Sequence, residues 1–404
     1  MSSDITAPEI GLEERFGFGA NWQRFLDKAF SPERAEVARR YLLDFLGLKD
    51  LQGLSVIDIG SGSGLHSLGM HASGAQSLLS FDFDPNSVAA TNSMRQAAGS
   101  PANWTIRQGS VLDTDFIGGL GTFDLVYSWG VLHHTGDQWR ALANVIPLMK
   151  PDGRLYIALY SREAHLNPPA EYWLEVKQRY VKAGPLRRRA MEIHYIWNHL
   201  CRRSVKKLLG LPKLRREYIH SRGMEMMTDM RDWLGGWPME FSTIREVITF
   251  GEQHGLELVH IITGEANSEY LFVRAGMAAA LGYPPRHAAL KHFLLLTALA
   301  DLGQLPDRPF YIHGTALGAQ ALLAAIRKAG IPNLAGFIDM ERSGEMQGLP
   351  IHREDEFAAF AAADTPIVLS TRYVRENIIR LFSLGYCNIL NGHELAIYLY
   401  NAKP

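Results

Sequence analysis

The feature that most constrains this chain is the alternation of short apolar runs with amphipathic segments such as Pro85–Ala98 and Asp137–Met149. The runs that read as strands in the first part are Ser55–Ile59, Ser77–Phe83, Trp104–Gln108, Phe123–Ser128 and Arg154–Tyr160. This pattern is typical of a doubly wound parallel sheet. Two later strands, Leu256–Thr263 and Glu269–Val273, are joined by a short turn and should be antiparallel, because parallel strands need a long crossover. We therefore predict an α/β fold with a seven-stranded, mostly parallel, Rossmann-like sheet.

A second, smaller Rossmann-like α/β unit is expected near the carboxyl end. Small residues, glycine and a proline pair around Ala275–Pro285 indicate a boundary, and a helix is predicted over Pro285–Gln304. The strands predicted beyond it are Pro309–His313, Leu334–Ile338, Pro366–Ser370 and Cys387–Leu390. The domains predicted are 1–275 with a helical insert at 161–240, a linker and helix start at 276–290, and an accessory domain at 291–404.

Composition excludes several classes of protein. With 404 residues, 47% hydrophobic and 21% charged, the chain has an ordinary globular composition rather than a disordered one. Its apolar runs are far shorter than the roughly 20 residues that span a membrane, and its start lacks a signal-peptide pattern. Two cysteines, Cys201 and Cys387, make no disulfide framework or zinc pattern. We expect a cytoplasmic protein with no membrane partner and no metal.

Positive charge is concentrated in the helical insert. Residues 177–216 contain 13 Lys or Arg and a single acid, Glu192, although the whole chain has a net charge of −1. Two interpretations remain open: solvated basic faces on a pair of helices, or a docking surface for an anionic partner such as a phosphate, a uronate or a carrier.

A glycine-rich turn follows the first strand. Gly60, Gly62 and Gly64 have the spacing G-x-G-x-G, and glycines at such a turn let the backbone approach a ligand. The helix behind them offers free N–H groups and partial positive charge. Asp58 lies just before the turn, and an acid there suits an amino group better than a pyrophosphate. S-adenosylmethionine has such an amino group and also a carboxylate for the N–H groups.

An acidic residue at the end of the second strand supports the same cofactor. Asp82 lies 18 residues beyond Gly64, where a carboxylate can accept hydrogen bonds from both ribose hydroxyls. Either motif alone could be a structural turn, but the two together at this spacing favour a nucleoside-containing ligand.

Residues 16–274 resemble the class I S-adenosylmethionine-dependent methyltransferases. The resemblance is to a bacterial group with stretches similar to Phe18–Phe25, Phe123–Gly136 and Asp232–Glu240. Members tend to occur with sugar, surface-glycan or natural-product pathways. The resemblance implies S-adenosyl-L-methionine as cofactor, S-adenosyl-L-homocysteine as product, and a small-molecule or glycan-linked, possibly anionic, acceptor.

The resemblance also implies roles for the residues that match these motifs. Asp58 would lie near the cofactor's amino group, Asp82 would hold the ribose and Phe83 would flank the adenine. Ser110 stands where many relatives have an acid that bonds the adenine, and the Val111 N–H is the alternative. Residues expected at the methionine part or the sulfonium are Gly60, Ser61, Gly62, Gly64, Ser128 and Trp129. Trp22, also a candidate for substrate binding, and Phe18 would close over the site or act as a hydrophobic staple.

Two adjacent histidines are the catalytic candidates. His133 and His134 follow the fourth strand, at the sheet edge where open α/β proteins bind ligands. A hydroxyl acceptor benefits from a general base, and histidine suits that role near neutral pH. The position equivalent to His133 is the usual candidate among methyltransferases, so the resemblance favours His133 of the two. The alternative is that His133 packs in the core and His134 caps the next helix.

The acceptor candidates come mostly from the segment after the basic insert. Trp233, Trp237 and Glu240 could form a stacking and hydrogen-bonding wall for a sugar or a ring. The alternative is a folded turn before a capping box at Thr243–Glu246. Secondary polar candidates are Tyr160, His220 and Asp229.

The accessory unit has a weaker glycine motif. Gly314 and Gly318 follow its first strand, and Asp339 ends its second. The unit resembles domains of sugar-nucleotide-modifying enzymes, so it could bind a nucleotide or a sugar nucleotide, or serve as an interaction module for a homodimer. It lacks a Tyr-x-x-x-Lys pair for hydride transfer, which disfavours an NAD-dependent enzyme.

The function predicted is O-methylation of a small-molecule, sugar or natural-product acceptor. N-methylation, and a nucleotide-sugar or NAD-binding activity of the accessory unit, remain alternatives. Methylation of nucleic acid is disfavoured, because no Asn/Asp-Pro-Pro-Tyr/Trp tetrad follows the fourth strand.

Overall fold

A computed structural model describes residues 11, 15, 17, 19, 32–165, 168–201, 203–213, 226–263, 266–283, 308–371, 373–386, 388–392 and 395–396. The chain divides into two compact units, one of residues 1–157 and 170–240 and one of residues 158–169 and 241–404. No helix within the described ranges is long and apolar enough to cross a bilayer.

The first sheet has seven strands in the order β3-β2-β1-β4-β5-β7-β6. Its strands are β1 Ser55–Ile59, β2 Ser77–Asp82, β3 Trp104–Gln108, β4 Phe123–Trp129, β5 Met149–Tyr160, β6 Leu256–Ile262 and β7 Asn267–Arg274. Strand β1 pairs in parallel with β2 and β4, whereas β6 and β7 are antiparallel. The predicted fold class and the antiparallel pair are confirmed. The central strands are buried along most of their length, as expected for a sheet covered on both faces.

Three of the helices before the insert begin at side-chain caps. Asp84, Asp113 and Asp137 each accept hydrogen bonds from N–H groups of the following turn, which satisfies donors that a helix leaves unpaired. The helices of this part are α1 Pro32–Leu46, α2 Leu65–Ala72, α3 Pro85–Ala97, α4 Thr114–Gly118 and α5 Gln138–Val145.

The insert is helical, as predicted. It contains α6 Ala170–Lys182, α7 Pro185–Tyr195, a π-helical turn Ile196–Leu200, α8 Val205–Leu209 and α9 Met226–Gly235. Buried Glu192 links three of these helices, because its carboxylate accepts hydrogen bonds from Tyr180 at 2.9 Å, Arg189 at 3.0 Å and Arg231 at 3.0 Å. Several of the basic side chains are therefore engaged within the insert.

Helix α10, Ile244–Gln253, follows the insert and begins at the predicted capping box. The Glu246 N–H donates to the Thr243 hydroxyl at 3.1 Å, and the Glu246 carboxylate accepts from the Thr243 N–H at 2.7 Å. The folded-turn interpretation of this segment is thus confirmed at its carboxyl end.

The second sheet has six strands in the order β10-β11-β9-β8-β12-β13. They are β8 Phe310–His313, β9 Leu334–Asp339, β10 Gly344–Met346, β11 Leu349–Arg353, β12 Ile367–Leu369 and β13 Ile389–Asn391. The helices are α11 Leu317–Lys328, α12 Glu354–Phe357 and α13 Val374–Ser383. All pairs are parallel except the hairpin β10–β11, which the sequence did not predict. A second α/β unit is confirmed.

The predicted domain limits stay a prediction. Strand pairing includes β6 and β7 in the seven-stranded sheet, whereas compactness groups them with the carboxyl-terminal residues. The predicted helix over residues 285–304, residues 284–290 of the predicted linker and Cys387 lie outside the described residues.

Candidate active site

The site lies where the strand order of the first sheet reverses. Strands β1 and β4 are neighbours at this point, and ligands of open α/β sheets bind in the crevice beyond such carboxyl ends. The two following loops touch, since a Cβ added to Gly60 would lie 2.4 Å from Cγ1 of Val131. Gly60 has a φ of 74° and Gly64 a φ of 78°, which a residue with a side chain rarely adopts.

The glycine loop leads directly into helix α2. Gly64 is the N-cap and supplies no side-chain bond, whereas the Leu65 N–H donates to the Ser63 hydroxyl at 3.3 Å. The next N–H groups of the first helical turn are available to a ligand. The Ser61 hydroxyl lies 2.9 Å from the Thr91 hydroxyl, which fastens the loop to α3. Gly62 donates its N–H to the Asp82 carboxylate at 2.9 Å.

Asp82 therefore stands at the end of β2 against the glycine loop. Its second oxygen accepts the Asp84 N–H at 2.9 Å, and burial raises its pKa to about 6 in spite of these bonds. The Asp82 carboxylate suits a ligand with vicinal hydroxyls. The nearby N–H groups at the start of α2 suit the carboxylate of an amino acid group in the same ligand. The residues present thus fit S-adenosylmethionine.

Asp58 lies deeper than the loop it precedes. Its carboxylate accepts a hydrogen bond from Ser67 of α2, and Ser67 lies 2.8 Å from Ser80, which in turn accepts from the Trp104 indole at 2.9 Å. Burial raises the pKa of Asp58 to about 7, and Asp82 adds to the shift. Asp58 thereby joins α2 and three strands through one buried polar network.

The candidates for the adenine lie on the β2 and β3 side. Phe83 is covered by the Arg15 guanidinium, 4.5 Å from the ring centre. The Ser110 hydroxyl accepts the Leu112 N–H at 3.1 Å, and the Val111 carbonyl accepts from the Asn144 amide at 2.9 Å. These contacts fix the conformation of the segment after β3. Either Ser110 or Val111 remains the candidate for binding the adenine.

The candidates after β4 have different surroundings. Ser128 is buried and donates to the Ile59 carbonyl at 3.1 Å, so its hydroxyl ties β4 to β1. Trp129 is exposed, with its ring edge-on to His66 at 5.9 Å. His66 was missed by the sequence reasoning. It follows the glycine loop, contacts the Tyr127 hydroxyl, and burial lowers its pKa to about 4.

The two histidines after β4 differ in their surroundings. His133 is completely buried, and the centres of the two rings are 4.4 Å apart. Nδ1 of His134 is 2.7 Å from the Pro238 carbonyl oxygen and must carry its proton to donate there. Nε2 is then the acceptor nitrogen of the neutral ring, and burial lowers the His134 pKa to about 3.

The segment 237–240 is fastened to the histidine loop. Besides the His134–Pro238 bond, the Glu240 N–H donates to the His133 carbonyl at 2.8 Å, and the Glu240 carboxylate accepts the Gln138 N–H at 2.7 Å. Glu240 is thus an N-terminal cap for α5. Trp237 lies one residue before Pro238, within the same segment.

Trp233 is placed in the insert, over a lysine that the sequence reasoning missed. Lys177 Nζ lies 4.0 Å from the centre of the Trp233 ring and donates to the Trp233 carbonyl. Lys177 is 1% exposed, and burial lowers its pKa to about 7. A lysine in the middle of a helix gives no sequence signal of burial, because most are solvated.

The remaining acceptor candidates are scattered. Tyr160 ends β5 and packs on Phe241, with ring centres 6.0 Å apart, in the second unit. Asp229 lies in the first turn of α9. Trp22, Phe18 and His220 lie outside the described residues. Among those described, no group of His, Cys, Asp and Glu is arranged to hold a metal ion.

The second sheet has polar side chains at its own reversal point. Asp339 accepts from the Thr315 hydroxyl at 2.7 Å, beside Gly314 at the end of β8. Buried Glu354 lies between His313, at 2.9 Å, and Arg380. Whether this edge binds a nucleotide, or the unit serves for dimerisation, stays a prediction.

Comparison with known proteins places residues 30–206 in a methyltransferase domain family. A tRNA U34 carboxymethyltransferase of Methylococcus capsulatus is 31% identical over 107 residues, which cover 26% of this chain and 32% of that protein. A ubiquinone biosynthesis O-methyltransferase of Rhizobium rhizogenes is 27% identical over 138 residues, covering 33% and 54%. The chain therefore spans about a third to a half of these relatives.

The chain also has a partial likeness to solved structures of low sequence identity. Magnesium protoporphyrin IX methyltransferase from Synechocystis with bound SAH is 14% identical, with a TM-score of 0.37 and coverage of 63% of this chain and 94% of that one. PKMT2 of Rickettsia typhi, in complex with AdoHcy, is 15% identical, with a TM-score of 0.41 and coverage of 59% and 52%.

The match to a methyltransferase domain family covers residues 30–206. Together with the seven-stranded sheet, it identifies a class I S-adenosylmethionine-dependent methyltransferase domain in that part of the chain. The cofactor of this domain is S-adenosyl-L-methionine. That residues at the carboxyl ends of β1 and β2 hold it stays a prediction.

Proposed function

We propose that this protein transfers the methyl group of S-adenosylmethionine to an oxygen of a small-molecule, sugar or natural-product acceptor, with His134 as the base or orienting group. The observation that carries the proposal is the 2.7 Å contact between His134 Nδ1 and the Pro238 carbonyl oxygen. It sets the tautomer that leaves Nε2 as an acceptor for a hydroxyl proton.

The cofactor supplies an electrophilic methyl group on a sulfonium, so the protein has chiefly to position the acceptor and remove its proton. Asp82 and the N–H groups behind the glycine loop hold the cofactor at the carboxyl ends of β1 and β2. His134 lies beyond the neighbouring strand β4. At Nε2 its ring accepts the hydroxyl proton once positive charge develops on the acceptor oxygen.

His133 has a supporting role in this proposal. Its side chain is completely buried against His134, and its carbonyl accepts the Glu240 N–H at 2.8 Å. These contacts favour His133 as a positioning residue that holds the histidine loop against segment 237–240. The two similar relatives named for tRNA and for ubiquinone act on different acceptors, so they leave the acceptor class open.

The test is formation of S-adenosylhomocysteine by the full-length protein, with sugar nucleotides and hydroxylated aromatic acids as candidate acceptors. With an active acceptor, His134→Gln should lower kcat at least about tenfold, because a general base contributes roughly 10²–10⁴-fold. His134→Gln should leave S-adenosylhomocysteine affinity unchanged. A normal kcat in this variant, or no cofactor binding by the wild type, would contradict the proposal.

A further inference from the structure

The helical insert forms a half-open cavity outside the cofactor site. It has a volume of about 330 Å³ and lies between α6, α7, the π-helical turn and Leu234 of α9. This volume is within the range of small-molecule sites. All of the residues that line it belong to the first compact unit.

Its walls are rich in rings. The ring centres of Trp173 and Tyr195 are 6.0 Å apart, and each lies 5.0 Å from His199. Tyr172 packs edge-on against Trp173 at 5.2 Å, and Met191 adds a polarisable thioether to the lining. Aromatic edges and faces attract a further ring beyond simple area burial, so this wall favours an aromatic occupant over an alkyl chain.

One arginine at the cavity has a guanidinium group that can bind an anion. Arg187 lines it, is exposed, and makes no hydrogen bond or ion pair among the described residues. Its neighbours differ: Arg188 donates to the Tyr180 and Val181 carbonyls, and Arg189 pairs with Glu192. Arg179, also in the lining, pairs with exposed Glu175 at 2.8 Å. A planar guanidinium recognises carboxylate or phosphate by paired hydrogen bonds.

Contacts within the protein hold the helices that line the cavity in place without a ligand. Glu192 fastens α6, α7 and α9 through Tyr180, Arg189 and Arg231. Trp233 packs edge-on against Trp173 at 5.1 Å. His199 belongs to the π-helical turn, a conformation found frequently at functional sites.

We infer that this cavity binds a small aromatic molecule carrying an anionic group, with its ring against Trp173 and Tyr195 and its anion at Arg187. That this ligand is the methyl acceptor rests on the proposed function. Leu234, which lines the cavity, precedes by four residues the Pro238 carbonyl that orients His134. Free carboxylates and phosphate esters can both accept paired hydrogen bonds from Arg187. The test distinguishes them by using one aromatic ligand of each kind.

The experiment is calorimetric titration of the full-length protein with 2-naphthoate and 2-naphthyl phosphate. The neutral 2-naphthol and the ring-free octyl phosphate are the matched comparison ligands. One or both aromatic anions should bind at least about tenfold more tightly than either comparison ligand, since charge-assisted bonds and ring contacts each contribute. Equal binding of octyl phosphate would overturn the aromatic assignment, and equal binding of 2-naphthol the anionic one.

Variants connect this binding to the cavity. Arg187→Gln should weaken the aromatic anions at least about tenfold while leaving 2-naphthol unchanged. Ala190→Trp should abolish binding by filling the cavity, since Ala190 lines it. Lys182→Gln, which removes an exposed cation of α6 outside the lining, is the matched control and should have little effect. If Arg187→Gln and Lys182→Gln behave alike, the site is wrong.

S-adenosylhomocysteine is titrated into the same samples. Aromatic anions that bind while S-adenosylhomocysteine does not would refute the proposed function and leave the cavity assignment standing. S-adenosylhomocysteine binding without any aromatic anion would refute the cavity assignment and leave the methyltransferase standing.

Discussion

At the scale of single residues, burial governs the charge of the groups around the candidate site. Asp58 and Asp82 have raised pKa values, whereas His66, His134 and Lys177 have lowered ones, so each is displaced towards its neutral form. Desolvation is the largest cause in all five groups. A cationic cofactor or a polar acceptor entering this region would meet groups that are poorly hydrated and therefore respond strongly to it.

Substitution of Asp82 tests the ribose assignment. Asp82→Ala should weaken S-adenosylhomocysteine binding by about 1.5–3 kcal/mol, because it removes hydrogen bonds to a charged group. Isothermal titration measures this change. Asp115→Asn, at an exposed position in α4, is the control and should bind normally. An unaltered affinity in a folded Asp82→Ala protein would refute the assignment.

Asp58 should make stability depend on pH. Its pKa is about 7 in the folded protein against an ordinary value of 3.8, so the folded state binds more protons between these values and stability falls as pH rises from about 4 to 7. Asp58→Asn removes this dependence. The stability of the variant relative to wild type should therefore increase from pH 5 to pH 8, as measured by urea unfolding. A constant or shrinking difference would show that Asp58 ionises normally.

At the scale of elements, local patterns located most of the secondary structure. Strands β1 and β3 have the predicted bounds, and the Thr243–Glu246 box begins α10 as predicted. The β10–β11 hairpin was missed because its residues are mostly exposed or half-buried and show no apolar alternation. Strand β5 begins at Met149 rather than Arg154, since Pro-Asp-Gly resembles a turn in the sequence although these residues are paired in the sheet.

The insert helices depend on one buried acid. Burial opposes ionisation of Glu192, but hydrogen bonds from Arg231 and Tyr180 outweigh it, and its pKa lies below the ordinary value. Glu192→Ala should lower the free energy of unfolding of the insert by about 1.5–3 kcal/mol, since it leaves Tyr180 without its acceptor. Native-state hydrogen exchange of α6 and α7 measures this. Glu175→Gln, in an exposed pair, should change it by less than about 0.5 kcal/mol. Equal effects of the two variants would contradict the role of Glu192.

At the scale of the whole molecule, cofactor binding should stabilise the protein. S-adenosylhomocysteine at about 100 times its Kd should raise the free energy of unfolding by roughly 2.7 kcal/mol, because it binds only the folded state. Thermal unfolding of the full-length chain, with and without ligand, measures the effect. NAD at the same concentration is the comparison and should give no shift. A shift with NAD alone would instead support a nucleotide-binding enzyme built on the accessory unit.

The sequence by itself determined the two α/β units, the strand-and-helix order and the positions of the glycine loop and Asp82. These depend on short-range pattern: strands alternate with helices, and a glycine turn joins one strand to its helix. The same pattern located the histidine pair and the aromatic segment around Trp233.

Only the tertiary structure decided how those side chains are used. It directed the Asp58 carboxylate to Ser67, fastened Glu240 to the start of α5, buried Lys177 beneath Trp233 and oriented His134 by a carbonyl 104 residues away. Such roles depend on which atoms meet across distant segments, and on the desolvation that follows. Neither is encoded in the spacing of residues along the chain.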